Sequence, residues 1–313
     1  MITASAPGKI ILFGEHAVVY GRPAIAAPVS QLRATVTVAP GHEKGVFLHA
    51  PDLDMHVALA HMDPGDAFAV AMRYLQEATD IETWPDMIIT VRSTIPIASG
   101  LGSGAAVAAA LIRAVTHFIG KDYLITNAWV SAITYKVEEI HHGTPSGIDN
   151  TVVAYEQPVY FVRQRPENII EPFTVKRPLH LLIGDTGQPS HTRDVVEDVR
   201  RQWQENTTHF EKLFNGCGHI AENARHHIEQ GELEALGILM GQNHLLLQKM
   251  TVSSEALDKL VQAAERAGAL GAKMSGAGRG GNMIALVTPE TETAVTEALY
   301  EAGATAVVKT IVK

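Results

Sequence analysis

The segment Pro96-Ile-Ala-Ser-Gly-Leu-Gly-Ser-Gly-Ala-Ala106 sets three glycines at alternate positions and then runs straight into an alanine-rich stretch. Gly100, Gly102 and Gly104 permit positive φ and close backbone approach, so several N–H groups can converge on one anion. From Ala105 to Phe118 the composition favours a helix, with Val107, Leu111, Val115 and Phe118 at three- and four-residue spacing. The loop therefore feeds a helix N-terminus, whose unpaired N–H donors and roughly half a positive charge suit a phosphate without a neighbouring lysine. Alone, the pattern also fits a plain glycine-rich turn between a strand and a buried helix.

At 313 residues, 46% hydrophobic and 19% charged, the chain has material for one large or two ordinary domains. Its formal charge of −9 argues against a nucleic-acid or acidic-membrane binder, which needs a basic surface. An anionic substrate must then be met by local donors. The single cysteine, Cys217, excludes an intrachain disulfide and a cysteine-cluster metal site, whereas fifteen histidines leave histidine and carboxylate sites open. The early apolar run Ile10 to Phe13 is broken by Gly14 and Glu15, so it reads as neither signal peptide nor membrane span, and a cytoplasmic location is expected.

Strand patterns occur at 2–6, 9–14, 32–39, 45–49 and 86–95, with helices predicted over 67–78 and 126–142, the latter stopped by Gly143. Residues 151–162 read as a return to strand. A Pro- and charge-rich passage, 163–178, marks a domain joint, giving an expected division into 1–172 and 173–313. The second part shows strand 179–183, helices near 193–213, 218–229, 232–248 and 253–267, strand 282–287, helix 290–302 and strand 305–312. Strands separated by runs of helix predict an α+β class.

Four further segments carry candidate chemistry. Ala6-Pro-Gly-Lys-Ile-Ile-Leu-Phe-Gly-Glu-His-Ala-Val-Val-Tyr-Gly21 places Lys9, Glu15 and His16 around a strand that turns at Gly14. Lys9 reads either as a snorkelling edge residue or as a phosphate clamp, and Glu15-His16 in isolation favours a solvated turn. In Glu138-Glu-Ile-His-His-Gly-Thr-Pro-Ser-Gly-Ile-Asp-Asn150, Glu138 and His142 share a helix face, while Asp149 follows a Pro-Ser-Gly turn. Glu138 and His141 have the spacing of a carboxylate-bridged di-iron motif, but only one copy is present, so Mg²⁺ on a carboxylate oxygen fits better.

Lys273-Met-Ser-Gly-Ala-Gly-Arg-Gly-Gly-Asn282 satisfies G-x-G-x-x-G through Gly276, Gly278 and Gly281. A dinucleotide loop needs a strand before and a helix after it, whereas here a helix is expected before and a strand after, so a loop bracing an active site is preferred. No G-x-x-x-x-G-K-[ST] occurs, which excludes a P-loop enzyme. Ile183-Gly-Asp-Thr-Gly-Gln-Pro-Ser-His-Thr-Arg193 ends a strand in a polar loop, with Thr192 a plain capping hydroxyl on the simplest reading.

Together and in this order the segments resemble the signatures of the GHMP kinases, a family named for its galactose, homoserine, mevalonate and phosphomevalonate substrates. The opening Pro-Gly-Lys, the central Gly-Leu-Gly-Ser and the late Ser-Gly-Ala-Gly-x-Gly-Gly carry the resemblance, which covers nearly the whole chain. Gly-Glu-His-Ala-Val-Val-Tyr-Gly, the Gly143–Asn150 phrase, Gly-Asp-Thr-Gly and His-Thr-Arg resemble its mevalonate-phosphorylating branch.

The resemblance implies a two-domain α+β fold, a ribosomal protein S5 domain 2-like first domain followed by a ferredoxin-like second. It implies transfer of the ATP γ-phosphoryl group to the C5 hydroxyl of mevalonate in isoprenoid biosynthesis. The alternatives are another kinase of the family, such as one acting on phosphomevalonate, or a non-catalytic binding protein of the same fold. Carried over, Asp149 is the base and Lys9 its partner, and Glu138 and Ser103 hold Mg²⁺. Pro96, Ser99, Gly100, Leu101, Gly102, Ser103, Gly104 and Ala105 bind ATP. Glu15, His16 and Thr192 face mevalonate, and Ser275, Gly276, Ala277 and Gly278 form the bracing loop. A homodimer is also implied.

Two positions depart from the family pattern. Gly104 stands where a second serine is usual, so that either Ser103 takes the role towards Mg²⁺ or water completes the shell. Arg279 stands where glycine is common, and its guanidinium is expected to point to solvent or a nearby carboxylate.

Overall fold

The computed structural model describes residues 1–96, 100–142 and 145–313. The chain divides into two compact units, one comprising Met1–Lys9, Gln31–Ile97 and Leu101–Glu156, the other Ile10–Ser30, Ala98–Gly100 and Gln157–Lys313.

In chain order the first part of the fold is built from β1 (Ile2–Phe13), β2 (Ala24–Pro40), β3 (Val46–Ala50), β4 (Met55–Ala58), α1 (Ala67–Thr79), β5 (Met87–Ser93), α2 (Ser103–Phe118), α3 (Asn127–His142) and α4 (Ile148–Tyr155). Within the first unit the strands run β4-β3-β5-β2. β3 is parallel to β5, joined to it by a crossover through β4 and α1, and the other two pairings are antiparallel. Alternate residues drive this arrangement: Val36, Val38, Met87 and Ile89 are buried while their neighbours reach towards solvent. β1 lies beside β2, and Thr3 and Thr37 share a hydroxyl hydrogen bond of 3.0 Å. α2 buries Ala105, Ala106, Ala108, Ala109, Ala110 and Ala114, small side chains that let α1, α3 and α4 pack closely around it.

The expected strand over 151–162 is corrected: Thr151 to Tyr155 belong to α4, and only β6 (Val159–Val162) is strand. The β-branched run Thr151-Val-Val misled because tertiary packing outweighs propensity. Gly147, at φ 91°, starts the helix, and Val152 and Val153 are completely buried on it.

The second unit continues with β7 (Ile169–Pro172), β8 (Leu179–Asp185), α5 (Thr192–Glu205), α6 (Thr207–Gln230), α7 (Leu233–Lys249), α8 (Glu255–Arg266), β9 (Gly271–Ser275), β10 (Asn282–Val287), α9 (Glu292–Glu301) and β11 (Ala306–Val312). β6 pairs antiparallel with β7 and with the start of β2, Ala24 facing Phe161. The other sheet is antiparallel in the order β11-β8-β10-β9. Its strands thus lie fourth-first-third-second, the ferredoxin-like βαββαβ arrangement with added helices between β8 and β9. Its core includes Phe210, Phe214, Leu247, Leu257 and Met283, with Tyr20 stacked on Phe214 at a ring separation of 4.1 Å.

Two further boundaries differ from expectation. The helical break falls at Asn206, whose side chain caps α6, and not near 214–217; α6 passes unbroken through Gly216 and Gly218. Gly218 is retained for space, since a Cβ there would lie 3.1 Å from the Arg22 side chain. A strand, β9, and not a helix, precedes the late glycine loop, which is therefore a hairpin loop between β9 and β10. The dinucleotide reading still fails, because no helix follows.

α7 crosses β9 backbone on backbone. A Cβ on Gly237 would sit 2.1 Å from the Leu270 carbonyl oxygen, and one on Gly271 would sit 2.1 Å from that of Gly237. Neither partner can rotate away. We expect Gly237→Ala to lower unfolding stability by about 2–4 kcal/mol in urea titrations, despite alanine's better helix propensity; an unchanged or raised midpoint would show that the crossing yields freely.

Candidate active site

In the first unit the glycine loop and Lys9 are fitted to one another. The Lys9 N–H donates to the Leu101 carbonyl at 2.8 Å, and Gly102, with φ 74°, caps α2. A Cβ on Gly102 would lie 2.8 Å from Lys9 Cγ, so glycine is required there both by backbone conformation and by the passage of the lysine stem. The lysine is only 5% exposed, which removes the snorkelling reading, and its Nζ lies 3.0 Å from Asp149 Oδ2.

Asp149 sits in the first turn of α4, where the helix field favours a carboxylate. α4 is held to α3 by Asn150, whose side-chain amide donates to the Ser131 carbonyl at 3.2 Å and hydroxyl at 2.8 Å. α3 in turn presents Glu138, which is 4% exposed. Burial first, and then the neighbouring Asp149, push the Glu138 carboxyl up to about 7, against the pull of Lys9. Glu138 Oε1 would lie 3.3 Å from a Cβ on residue 104, so the glycine there leaves the carboxylate its room. The first unit thus gathers Lys9, Glu138 and Asp149 at the N-terminus of α2.

The loop residues fall into place unevenly. Gly100 and Gly102 take the expected positive φ, whereas Gly104 is already the second residue of α2 with ordinary helical backbone. Ser103 opens the helix and is half-buried; Leu101 and Ala105 are buried; Pro96 and Gly100 are exposed. Ser99, Gly143 and the side chains of His141 and His142 lie outside the described residues. No group of three or more metal-ligating side chains occurs among the described residues.

In the second unit Gly14, at φ 91°, makes the turn after β1, where a Cβ would lie 2.4 Å from the Pro23 carbonyl oxygen. Glu15 is no solvated turn residue. It is completely buried in an ion pair with Lys273 of β9, whose Nζ also donates to the Met274 carbonyl at 2.6 Å. His16 is buried too, and its Nε2 donates to the Ala277 carbonyl at 2.8 Å, which fixes the tautomer with the proton on Nε2.

The hairpin loop is pinned at almost every residue. Ser275 Oγ donates to the Ile11 carbonyl at 2.8 Å and accepts from the Ile11 N–H at 3.2 Å. Ser190 Oγ donates to the Gly278 carbonyl at 2.6 Å, and the Arg279 N–H donates to the Val252 carbonyl at 2.7 Å. Gly276 and Gly278 adopt φ 93° and 89°, and a Cβ on Gly278 would collide with the Val252 carbonyl oxygen at 1.9 Å. The Arg279 guanidinium turns to Asp198 and donates from Nε to the Thr251 carbonyl at 3.1 Å, as expected of a side chain too large for the loop's interior. With Arg201, it holds the Asp198 carboxyl down at about 2. Thr192 is exposed at the first residue of α5 and forms no side-chain cap.

Lys273, Asp198 and Val252 were not singled out from sequence. Lys273 had a signal, since a lone lysine in Gly271-Ala-Lys-Met-Ser needs a buried carboxylate, and Glu15 follows an apolar run in the same isolated way.

Burial lowers the His16 pKa from its ordinary 6.5 to about 4, outweighing the bond to Ala277. The folded protein therefore keeps His16 neutral while the unfolded chain takes up a proton. Its contribution is complete above pH 6.5 and is lost as pH falls towards 4. Between pH 7 and pH 5 the wild type should lose about 2 kcal/mol more unfolding stability than His16→Asn, a residue that tolerates positive φ. Parallel losses would contradict the neutral buried imidazole.

Two family models match the chain, GHMP kinases N terminal domain over residues 67–157 and GHMP kinases C terminal over residues 223–305. The mevalonate kinase of Thermococcus sibiricus is 36% identical over 99% of this chain and 96% of its own length. The crystal structure of L. major mevalonate kinase in complex with R-mevalonate superposes with a TM-score of 0.85 at 29% identity, covering 99% of this chain and 95% of that one. The Methanococcus jannaschii mevalonate kinase structure also gives 0.85, at 26% identity over 98% and 96% of the two chains. Matched in both halves and along its full length, with its lysine, carboxylates and glycine loops in the family's order, the chain belongs to the GHMP kinase family.

Proposed function

We propose that this kinase transfers the γ-phosphoryl group of ATP to the C5 hydroxyl of mevalonate, giving 5-phosphomevalonate and ADP. The observation that carries the proposal is the pairing of Lys9 with Asp149 at 3.0 Å, next to the N-terminus of α2. Relatives that share the full length of the chain are named for this reaction, and one structural neighbour holds R-mevalonate.

In the reaction the C5 hydroxyl oxygen attacks the γ-phosphorus, the bond from that phosphorus to the β–γ bridging oxygen breaks, and ADP leaves. The hydroxyl proton passes to an Asp149 carboxylate oxygen. The Lys9 ammonium, paired with Asp149, offsets the negative charge that grows on the attacking oxygen. The phosphates are met by the N–H groups of Gly102, Ser103 and Gly104 at the start of α2, with Pro96, Ser99, Gly100, Leu101 and Ala105 as the further ATP-binding residues. Such local donors suit a protein of net charge −9.

The donor set also fits Mg²⁺. Glu138 is a buried hard-oxygen donor beside a second carboxylate, and burial first and then Asp149 raise its proton affinity. Glu138 and the Ser103 hydroxyl would hold the ion, which when bound neutralises phosphate oxygens. In the second unit His16 and Thr192 are the proposed mevalonate contacts. Glu15 acts through its buried pair with Lys273, and Ser275 to Gly278 brace. We further infer a cytoplasmic homodimer.

Asp149→Asn should reduce kcat about 10²- to 10⁴-fold in a coupled ADP-release assay, with a small change in the KM for mevalonate; undiminished turnover would remove Asp149 as the base. In the same assay, mevalonate should be phosphorylated in preference to phosphomevalonate, homoserine and galactose. Turnover confined to phosphomevalonate would overturn the substrate assignment, and no turnover of any of the four would support a non-catalytic role.

A further inference from the structure

Arg279 stands in the hairpin loop where the backbone favours glycine, and its side chain ties together three segments of the second unit. Its Nε donates to the Thr251 carbonyl at 3.1 Å, in the turn between α7 and α8, and its Nη2 donates to Asp198 Oδ2 on α5. The same Asp198 oxygen accepts from Gln202 Nε2 at 2.9 Å, and Gln202 Nε2 also donates to Thr251 Oγ1 at 3.0 Å. Arg279, Asp198, Gln202 and Thr251 thus close a ring of bonds, with Arg201 on the other Asp198 oxygen.

The ring is kept against backbone strain. Six non-glycine residues have positive φ among the described residues, and three of them, His16, Thr251 and Arg279, belong to this assembly at 59°, 60° and 57°. For a β-branched residue such as Thr251 that conformation is an outlier, which persists only where the surroundings over-determine it, and such outliers gather at functional sites. Both proposed mevalonate contacts of this unit hang on the ring. The His16 imidazole is bonded to the Ala277 carbonyl, two residues before Arg279, and Thr192 opens α5, six residues before Asp198. Ser190, just before α5, is bonded through its hydroxyl to the Gly278 carbonyl. Burial chiefly, and the Arg279 charge in smaller measure, lower the His16 pKa against the bond to Ala277, so the guanidinium is felt at the imidazole.

We propose that Arg279 is a positioning residue for mevalonate: paired with Asp198 and seated on Thr251, it fixes the loop that holds His16 against α5, so that His16 and Thr192 are set before the substrate arrives. This role rests on the mevalonate reading of those two residues. Contacts that are already ordered lower the entropic cost of binding. Lys9, Glu138 and Asp149 belong to the first unit, outside the ring. Loss of the ring is therefore read in the KM for mevalonate, and not in kcat or in the KM for ATP.

Arg279→Gly supplies the residue that the left-handed backbone prefers, and Asp198→Ala removes the carboxylate while leaving α5 a good helix former. In the coupled ADP-release assay on the full chain, each should raise the KM for mevalonate about three- to ten-fold, with kcat within about two-fold of wild type and the KM for ATP unchanged. The double variant should be no worse than the weaker-binding single one, because the two residues act as a unit. Arg279→Lys, which keeps the charge but not the planar fork, should fall between Arg279→Gly and wild type. Single variants with an unmoved KM for mevalonate overturn the proposal, even if their unfolding midpoints fall, since that is the result of a merely structural ring. Effects that multiply in the double variant, or that appear in kcat or in the KM for ATP to the same degree, overturn it as well. A wild-type protein that does not phosphorylate mevalonate overturns the substrate reading and this role with it, whereas normal wild-type turnover beside unmoved variants overturns this role alone.

Discussion

The arrangement at the candidate active site depends on one contact, the Lys9 ammonium against the Asp149 carboxylate. A lysine that is 5% exposed is accommodated there because a carboxylate lies 3.0 Å away, and its stem can reach that position because residue 102 has no Cβ. The same glycine supplies the left-handed backbone that opens α2. Loop conformation, helix start and lysine placement are therefore one requirement. Glu138 completes the group as a second buried carboxylate, whose proton affinity is raised by burial and by Asp149 against the pull of Lys9.

The second unit solves a different problem, that of holding a glycine-rich hairpin loop rigid. Glycines that take positive φ lose more chain entropy on ordering than other residues. Here the loss is offset by bonds from the Ser190 hydroxyl, the His16 imidazole and the Arg279 side chain, and by the buried Glu15–Lys273 pair at the foot of β9. Arg279 illustrates how an unusual residue is accommodated: its backbone takes the left-handed conformation the loop demands, and its guanidinium leaves for Asp198.

Much of this was legible in the residues. Gly102, Lys9, Glu138 and Asp149 could be named because each lies in a short motif, and their roles come from the family resemblance those motifs carry. The α+β class followed from strands separated by helical runs, and the ferredoxin-like second domain from the family resemblance. The failures share a cause, which is that local pattern says nothing of the partner. Thr151-Val-Val reads as strand until α3 and α2 are seen to bury it as helix, and β9 is hidden because its central lysine is explained only by Glu15, far away in sequence. Gly104 was grouped with the positive-φ glycines, whereas it is helical and serves to make room for Glu138.

The most direct test of the account is a crystal structure of the protein with R-mevalonate and a non-hydrolysable ATP analogue. It should place an Asp149 carboxylate oxygen within about 3 Å of the C5 hydroxyl oxygen, with Lys9 Nζ still bonded to Asp149 and the nucleotide phosphates against the first N–H groups of α2. A C5 hydroxyl hydrogen-bonded to some other base, with the Lys9–Asp149 pair intact but away from the substrate, would contradict it.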